Sequence, residues 1–472
     1  MSGSHESVKR VVIIGAGPAG LAAGYRLCDQ GMDTLIVEQD SQVGGLSRTI
    51  RYKGNYFDIG GHRFFTKNKE VLTWWQDLLK EDLLKIPRSS KIYYQDTFFN
   101  YPLSVRNVLA NIGWVNAFLI PLSYLKSRLF PQRKETNFEQ WIVNRFGRKL
   151  YQLFFKEYTE KVWGIPCRQI SSDWASERIK GLSLSTALRN ALSGGRNNTV
   201  KTLIKEFLFP RFGSGMMYEA IAQKITEKGG EVKLRSEVIQ IKHDYKRIKS
   251  LVCKDSVSGS IFEVGGSDFC SSMPITSLVA RMDPPPGRFI LETCQRLRYR
   301  SMVMVYCIVD RKDLSPDNWI YVHSPQVRVA RIQNFRKWSP AMVAGPDKAS
   351  LGMEYFCDEG DAFWSLSDRD LIDLGVRELE KLKLATYKEV TDGYVLRVPK
   401  AYPIYDDGYR QALAVIKDFV SGFSNLQCIG RYGMFQYTNM DRSTLIGFLA
   451  AKNILGAHED LWSADLGEAC ND

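Results

Sequence analysis

Four consecutive β-branched apolar residues, Val11-Val12-Ile13-Ile14, run without a break into Gly15-Ala16-Gly17-Pro18-Ala19-Gly20. Such a run suits a strand buried on both faces of a parallel sheet. Leu21 to Leu27 then reads as a helix, with Leu21, Tyr25 and Cys28 on its packing side. Thr34 to Val37 reads as a second strand, ending in Glu38. Each part has a physical task. Gly15 permits the tight turn, Gly17 lets backbone approach a pyrophosphate, and Gly20 allows close packing of helix on strand. The helix N-terminus offers unpaired N–H groups and partial positive charge to phosphates. Glu38 falls where an acidic residue hydrogen-bonds a ribose. The expectation is a dinucleotide site on an α/β fold.

The residues after Glu38 discriminate among dinucleotides. Ser41-Gln42-Val43-Gly44-Gly45-Leu46-Ser47-Arg48-Thr49 carries a glycine pair where backbone again approaches a ligand. This segment resembles the second fingerprint of a large FAD family that holds amine oxidases, protoporphyrinogen oxidases, phytoene desaturases and UDP-galactopyranose mutases. The resemblance implies FAD rather than NAD, with Gly44, Gly45 and Arg48 along the diphosphate. It extends to Asp268–Pro274, which resembles the strand closing the cofactor domain. It also covers the C-terminal run Leu426–Arg431, read as a strand ending at Gly430, followed by a helix from Ser443 to Ile454. Leu445, Phe448, Leu449 and Ile454 are that helix's expected packing residues.

Four further segments are similar to the mutases in particular. Asp58-Ile59-Gly60-Gly61-His62-Arg63 matches their glycine–histidine segment, which implies that Gly61 and His62 lie beside the flavin. Phe138–Val143, Leu153–Tyr158, Lys161–Pro166 and Glu177-Arg178 look like the helical substrate domain, with Arg178 matching an arginine that contacts the nucleotide diphosphate. Arg328-Val329-Ala330-Arg331 falls where a second diphosphate-binding arginine is found. Either arginine could be the match, Arg331 being preferred; three residues apart, both cannot face one cleft on a regular strand. Tyr402 and Tyr437 match a tyrosine pair that holds substrate phosphates. Asn439 and Asp441 match polar residues that begin the terminal helix, and the resemblance implies that they contact FAD together with Gly430 and Arg431; Asp441 with Ser443 also reads as an N-cap. Met440 and Arg442 depart from the commonest mutase residues.

Composition adds bounds. Net charge is +12, dispersed along the chain, with 44% hydrophobic and 25% charged residues. It suits an anionic small-molecule substrate, and no nucleic-acid module is visible. Nine cysteines without CxxC pairs read as buried reduced thiols, and the short polar N-terminus lacks a signal-peptide core, so the expected location is the cytoplasm. The apolar stretch from Ile112 to Phe130 is interrupted by Asn116, Lys126 and Arg128. It reads as a buried or amphipathic helix pair rather than a span, with membrane-surface contact as the minority alternative.

The five histidines are scattered, so no metal site is expected, and neither GxSxG nor a cysteine–histidine signature occurs. A bound flavin must carry the chemistry. The mutase resemblance implies isomerisation of a nucleotide sugar between pyranose and furanose forms by reduced FAD, with NAD(P)H as a source of electrons. Its rival is a net oxidoreductase of the same superfamily, and a third class is a non-catalytic flavin protein. The expected architecture is a Rossmann-like FAD domain (1–85, 205–275, 420–472), a helical domain (106–204) and a mixed or antiparallel sheet domain (86–105, 276–419).

Overall fold

The structure, a computed structural model, describes residues 9–101, 107, 111–178 and 205–462. Val11–Ile14 is a strand with all four residues buried, and it sits at the centre of a five-stranded parallel sheet. Thr34–Val37 and Glu231–Lys233 lie on one side of it, Asp268–Ser271 and Leu426–Cys428 on the other. The wholly apolar first strand therefore reflects its place: helices and a second sheet cover both faces. One cover is the pair of helices Pro18–Asp29 and Met440–Ile454, which pack on each other with Ala19, Leu21, Ala22 and Ala23 against Ile446, Phe448 and Ala450. On the other face lies a four-stranded sheet of Ile261–Gly265, Ile248–Asp255, Ser236–His243 and Met282–Asp283.

A seven-stranded mixed sheet forms the second large layer. Its order is Val390–Pro403, Tyr299–Val309, Ala349–Cys357, Arg331–Asn334, Trp319–Val322, Ser90–Tyr94 and Thr97–Asn100. All pairings are antiparallel except Trp319–Val322 on Ser90–Tyr94. Met302, Met304, Tyr306 and Ile308 share one side of Tyr299–Val309, as the alternation predicts, and face the core that holds Phe57 and Trp163. Val303, Val305, Cys307 and Val309 face a second core beneath helix Asp368–Lys381. This strand is thus buried on both faces, like the first one. The mixed α/β fold expected from the sequence is what the chain adopts.

Local expectations need correction at three places. The terminal helix begins at Met440, not Ser443, and its N-cap is Asn439 without a side-chain cap bond; Asp441 sits in the first turn. The strand before it ends at Cys428, and Gly430–Gly433 is a short helical turn instead. Finally, of the two alternatives for Ile112 to Phe130, the buried one does not hold: in helix Trp114–Leu129 only Ile120 and Ser127 are buried. The eight described cysteines are buried and unpaired.

Candidate functional site: a cavity between the two large sheets

The site begins where the first strand meets its glycines. Gly15 has φ +96° and a side chain there would collide with Ser272 Oγ, so only glycine makes this turn. Gly17 differs: a Cβ would meet only Gly45 Cα at 3.9 Å. The two glycine turns lie against each other, tied by Gly44 N–H donating to Ala16 O at 2.8 Å. Together they form a backbone cradle open to the cavity. Gly20 packs against Gly15, whose carbonyl oxygen a Cβ would strike, and does not line the cavity. Glu38 ends the second strand beside this cradle. Its carboxylate accepts from Ala16 N–H at 2.7 Å and Asp40 N–H at 2.9 Å, while burial raises its pKa. Arg48 donates to Gly45 O at 2.7 Å and meets Asp40 at 3.5 Å.

From this cradle a cavity of about 660 Å³ runs toward the seven-stranded sheet. Gly15, Gly17, Glu38, Gly45 and Arg48 line one end. Gly61, His62, Arg331, Tyr402, Gly430, Arg431, Tyr437, Asn439 and Asp441 line the remainder. Gly44 stands behind the wall. Arg178 ends helix Ser172–Arg178, and its side chain lies outside the described residues. The volume falls in the range of small-molecule and cofactor sites.

His62 is placed by a chain of contacts. The ribbon Asn55–Asp58 docks on the large sheet through Phe57, stacked on Tyr306 at 4.5 Å, and through Tyr306 OH, which donates to Asp58 O at 3.1 Å. The Asp58 carboxylate accepts from Thr49 Oγ1 at 2.6 Å and from Ser214 N–H at 3.1 Å. Burial lifts its pKa to about 7 despite those bonds. Gly60, at φ +95°, turns the chain so that Gly61 and His62 enter the cavity. His62 is partly buried in the cavity wall; burial first, then the charges of Arg431 and Arg331, lower its pKa to about 3. It is a neutral imidazole at pH 7, and its Nδ1 has no hydrogen-bond partner within the protein.

Arg331 and Glu354 sit opposite each other on neighbouring strands. That register gives a two-pronged ion pair, Nε to Oε1 at 2.9 Å and Nη2 to Oε2 at 2.7 Å. Glu354 is wholly buried and also accepts from Gln333. Burial works against the Arg331 charge, but Glu354 outweighs it and holds the guanidinium charged. Arg328 is exposed, lies over Phe363 at 4.0 Å and does not line the cavity, so the geometry selects Arg331 of the two. Tyr402 and Tyr437 stack at 5.3 Å, with Arg431 over Tyr437 at 4.2 Å and over Tyr402 at 5.5 Å. The Arg431 donors are committed to Thr438 O and Ala401 O. Arg331 Nη2 reaches Tyr402 OH at 3.4 Å, which leaves that hydroxyl's own proton for another acceptor.

Sequence reasoning missed Glu354 and Lys400. A single acid within the otherwise apolar strand Ala349–Cys357 was the available signal: a charge there requires a partner. Lys400 lines the cavity and donates to Ser277 Oγ at 3.0 Å, and burial lowers its pKa.

The residues fit FAD. The Gly17–Gly45 cradle leaves room for a pyrophosphate against backbone, at the N-terminus of helix Pro18–Asp29, which has no side-chain cap. Asn439, Met440 and Asp441 present a second uncapped helix start to the same cavity. His62, whose Nδ1 has no hydrogen-bond partner among the described residues, lines the same space.

Comparison with known proteins agrees with this geometry. The family described as flavin containing amine oxidoreductase matches residues 18–455. The 15-cis-phytoene desaturase of Synechococcus elongatus is 23% identical over 96% of this chain and 97% of its own length. Protoporphyrinogen oxidase 2 of Arabidopsis thaliana is 35% identical, but over 19% of this chain and 17% of that protein. Among solved structures, reduced UDP-galactopyranose mutase superposes with a TM-score of 0.83 at 22% identity, covering 98% of this chain and 99% of that one. A putrescine oxidase bound to putrescine superposes with a TM-score of 0.60 at 16% identity, over 95% and 99% of the two chains. At such identities the structural matches establish the fold.

Proposed function

This chain belongs to the flavin-containing amine oxidoreductase family and uses FAD, and on that premise we propose that it is a UDP-galactopyranose mutase-like isomerase of a nucleotide sugar. The carrying observation is the cluster at the far end of the cavity. Two stacked tyrosines, a guanidinium lying over them and Arg331 beside Tyr402 converge in the space that His62 also lines. Hydroxyl donors backed by cations suit the oxygens of a diphosphate leaving group. In this reading Tyr402 donates its proton to a phosphate oxygen while accepting from Arg331. Arg431 adds positive potential from beneath the rings, and Arg178 supplies a second guanidinium. Gly17, Gly44, Gly45, Arg48 and Glu38 hold the cofactor's diphosphate and ribose; Gly61, His62, Gly430, Asn439 and Asp441 surround its flavin end. Bound FAD, in reduced form, supplies the chemistry at the sugar carbon. His62 meets it as a neutral imidazole that orients without adding charge. NAD(P)H is the proposed reductant, and the cytoplasm the proposed location.

The test is titration of the reduced protein with UDP. Tyr402→Phe, Tyr437→Phe and Arg178→Ala should each weaken binding roughly ten- to hundredfold, the usual worth of a hydrogen bond to a charged group, with FAD content unchanged. No binding of UDP by wild type removes the mutase reading. A second reading, a net oxidoreductase, is favoured by the ion pair at Arg331: Glu354 offsets its charge, so the clamp is less cationic than a count of arginines suggests. The full-length similarity to a desaturase points the same way.

A further inference from the structure

Helix Trp114–Leu129 carries more exposed apolar surface than any other described element. Trp114 is 85% exposed, Phe118 67%, Leu125 55% and Leu129 64%, with Leu122 at 49% and Phe130, just past the end, at 77%. At 100° per residue, positions 114, 118, 122, 125 and 129 fall within one stripe along the helix. The opposite side is what fixes the helix in place. Ile120 joins the core of Ile92, Phe99, Leu150 and Phe154, Ser123 Oγ accepts from Lys149 N–H at 3.0 Å, and Gly147 abuts the backbone at Tyr124. The apolar stripe is therefore presented outward on a seated helix.

Charge identifies what covers it. No Asp or Glu occurs between Asp96 and Glu135. Lys126 and Arg128 border the stripe on its two sides, and Arg133 and Lys134 follow the helix; all four are exposed, and none forms an ion pair with a described residue. A second copy of this face would bring four cations against four cations with no acid to meet them. An anionic lipid surface instead satisfies both features, because apolar side chains enter the acyl boundary while basic ones meet the headgroups. At 16 residues, with Trp114 and Phe130 at its two ends, the helix suits lying in the interface, where aromatic residues anchor, rather than spanning it. We propose that helix Trp114–Leu129 docks the protein onto an anionic membrane surface.

The experiment uses the FAD-loaded full chain, co-sedimented with vesicles of phosphatidylcholine alone or of phosphatidylcholine mixed equally with phosphatidylglycerol. Wild type should sediment with the mixed vesicles and far less with the neutral ones. Lys126→Gln combined with Arg128→Gln should lower partitioning roughly twenty-five-fold, about fivefold for each charge lost near the surface. Phe118→Ser with Leu122→Ser should abolish it. The flavin absorbance of each variant checks folding, and the charge pair alters only exposed side chains. Wild type that stays in the supernatant with mixed vesicles overturns the proposal. So does a dimer that the Phe118→Ser, Leu122→Ser variant splits into monomers, which would make the face a subunit interface.

Discussion

The two ends of the cavity are built from different materials. At the end proposed for the cofactor's diphosphate, backbone forms the surface: the glycine turns at 15, 17, 44 and 45 and two helix starts without side-chain caps, held by strands buried on both faces. At the far end, side chains form it: His62, Arg331, Tyr402, Arg431 and Tyr437 come from separate parts of the chain, and the two arginines are held by Glu354, Thr438 and Ala401. A backbone site tolerates little change in shape but carries little charge. A side-chain site can be re-tuned residue by residue, which suits a fold whose relatives include a mutase, a desaturase and an amine oxidase.

The comparison breaks first at Gly17. Its Cβ direction is open toward the cavity, so Gly17→Leu should fold yet lose FAD almost completely, read as flavin absorbance in the purified protein. A folded variant with full FAD would mean the diphosphate lies elsewhere. At the other end, Glu354→Ala strands a buried guanidinium and should cost about 3–5 kcal/mol of stability by denaturant unfolding. Arg331→Ala strands the carboxylate with a similar cost. The double variant should be milder than the sum, a coupling that a double-mutant cycle measures directly. Additive losses would show that the pair is not a unit.

Legibility in the sequence divides along the same line. Strand Thr34–Val37 and the glycine turn were readable because their signals are local: apolar β-branched runs, then residues that only one backbone geometry accepts. Resemblance alone does not decide between Arg328 and Arg331, and the partner of Arg331 is not legible either, because both depend on strand register between Arg331–Asn334 and Ala349–Cys357. The stretch from Ile112 to Phe130 reads as a buried or amphipathic helix pair, and the exposure of helix Trp114–Leu129 is not legible, since hydropathy does not say which neighbour a stripe meets. The start of helix Met440–Ile454 is hard to place from sequence because Asp441 and Ser443 both have the chemistry of an N-cap.

Smaller effects sharpen the link between the ends. Asp58 anchors the ribbon that delivers His62, and its folded pKa of about 7 lies above its unfolded value. The folded state therefore binds the extra proton, and stability from this group is present at low pH and lost as pH rises through about 7. Asp58→Asn removes that titration. Its stability should fall less between about pH 4 and 7 than wild type's, by roughly 2–4 kcal/mol in chemical denaturation. Equal slopes would return Asp58 to an ordinary carboxylate. For His62 the expected effect is nil in one respect: with its pKa near 3, it should show no imidazole titration between pH 5 and 8 in NMR of the protein. A titration near the ordinary histidine value would show that the cavity is wetter than the packing indicates.

The most direct test of the account joins both ends in one reaction. The dithionite-reduced protein is incubated anaerobically with a panel of UDP-sugars, and the products and the flavin's redox state are followed together. The account predicts conversion of a UDP-pyranose to its furanose isomer over many turnovers while the flavin stays reduced. Turnover that oxidises or reduces the flavin in step with product, or none with any nucleotide sugar, would contradict it and assign the cavity to net redox chemistry.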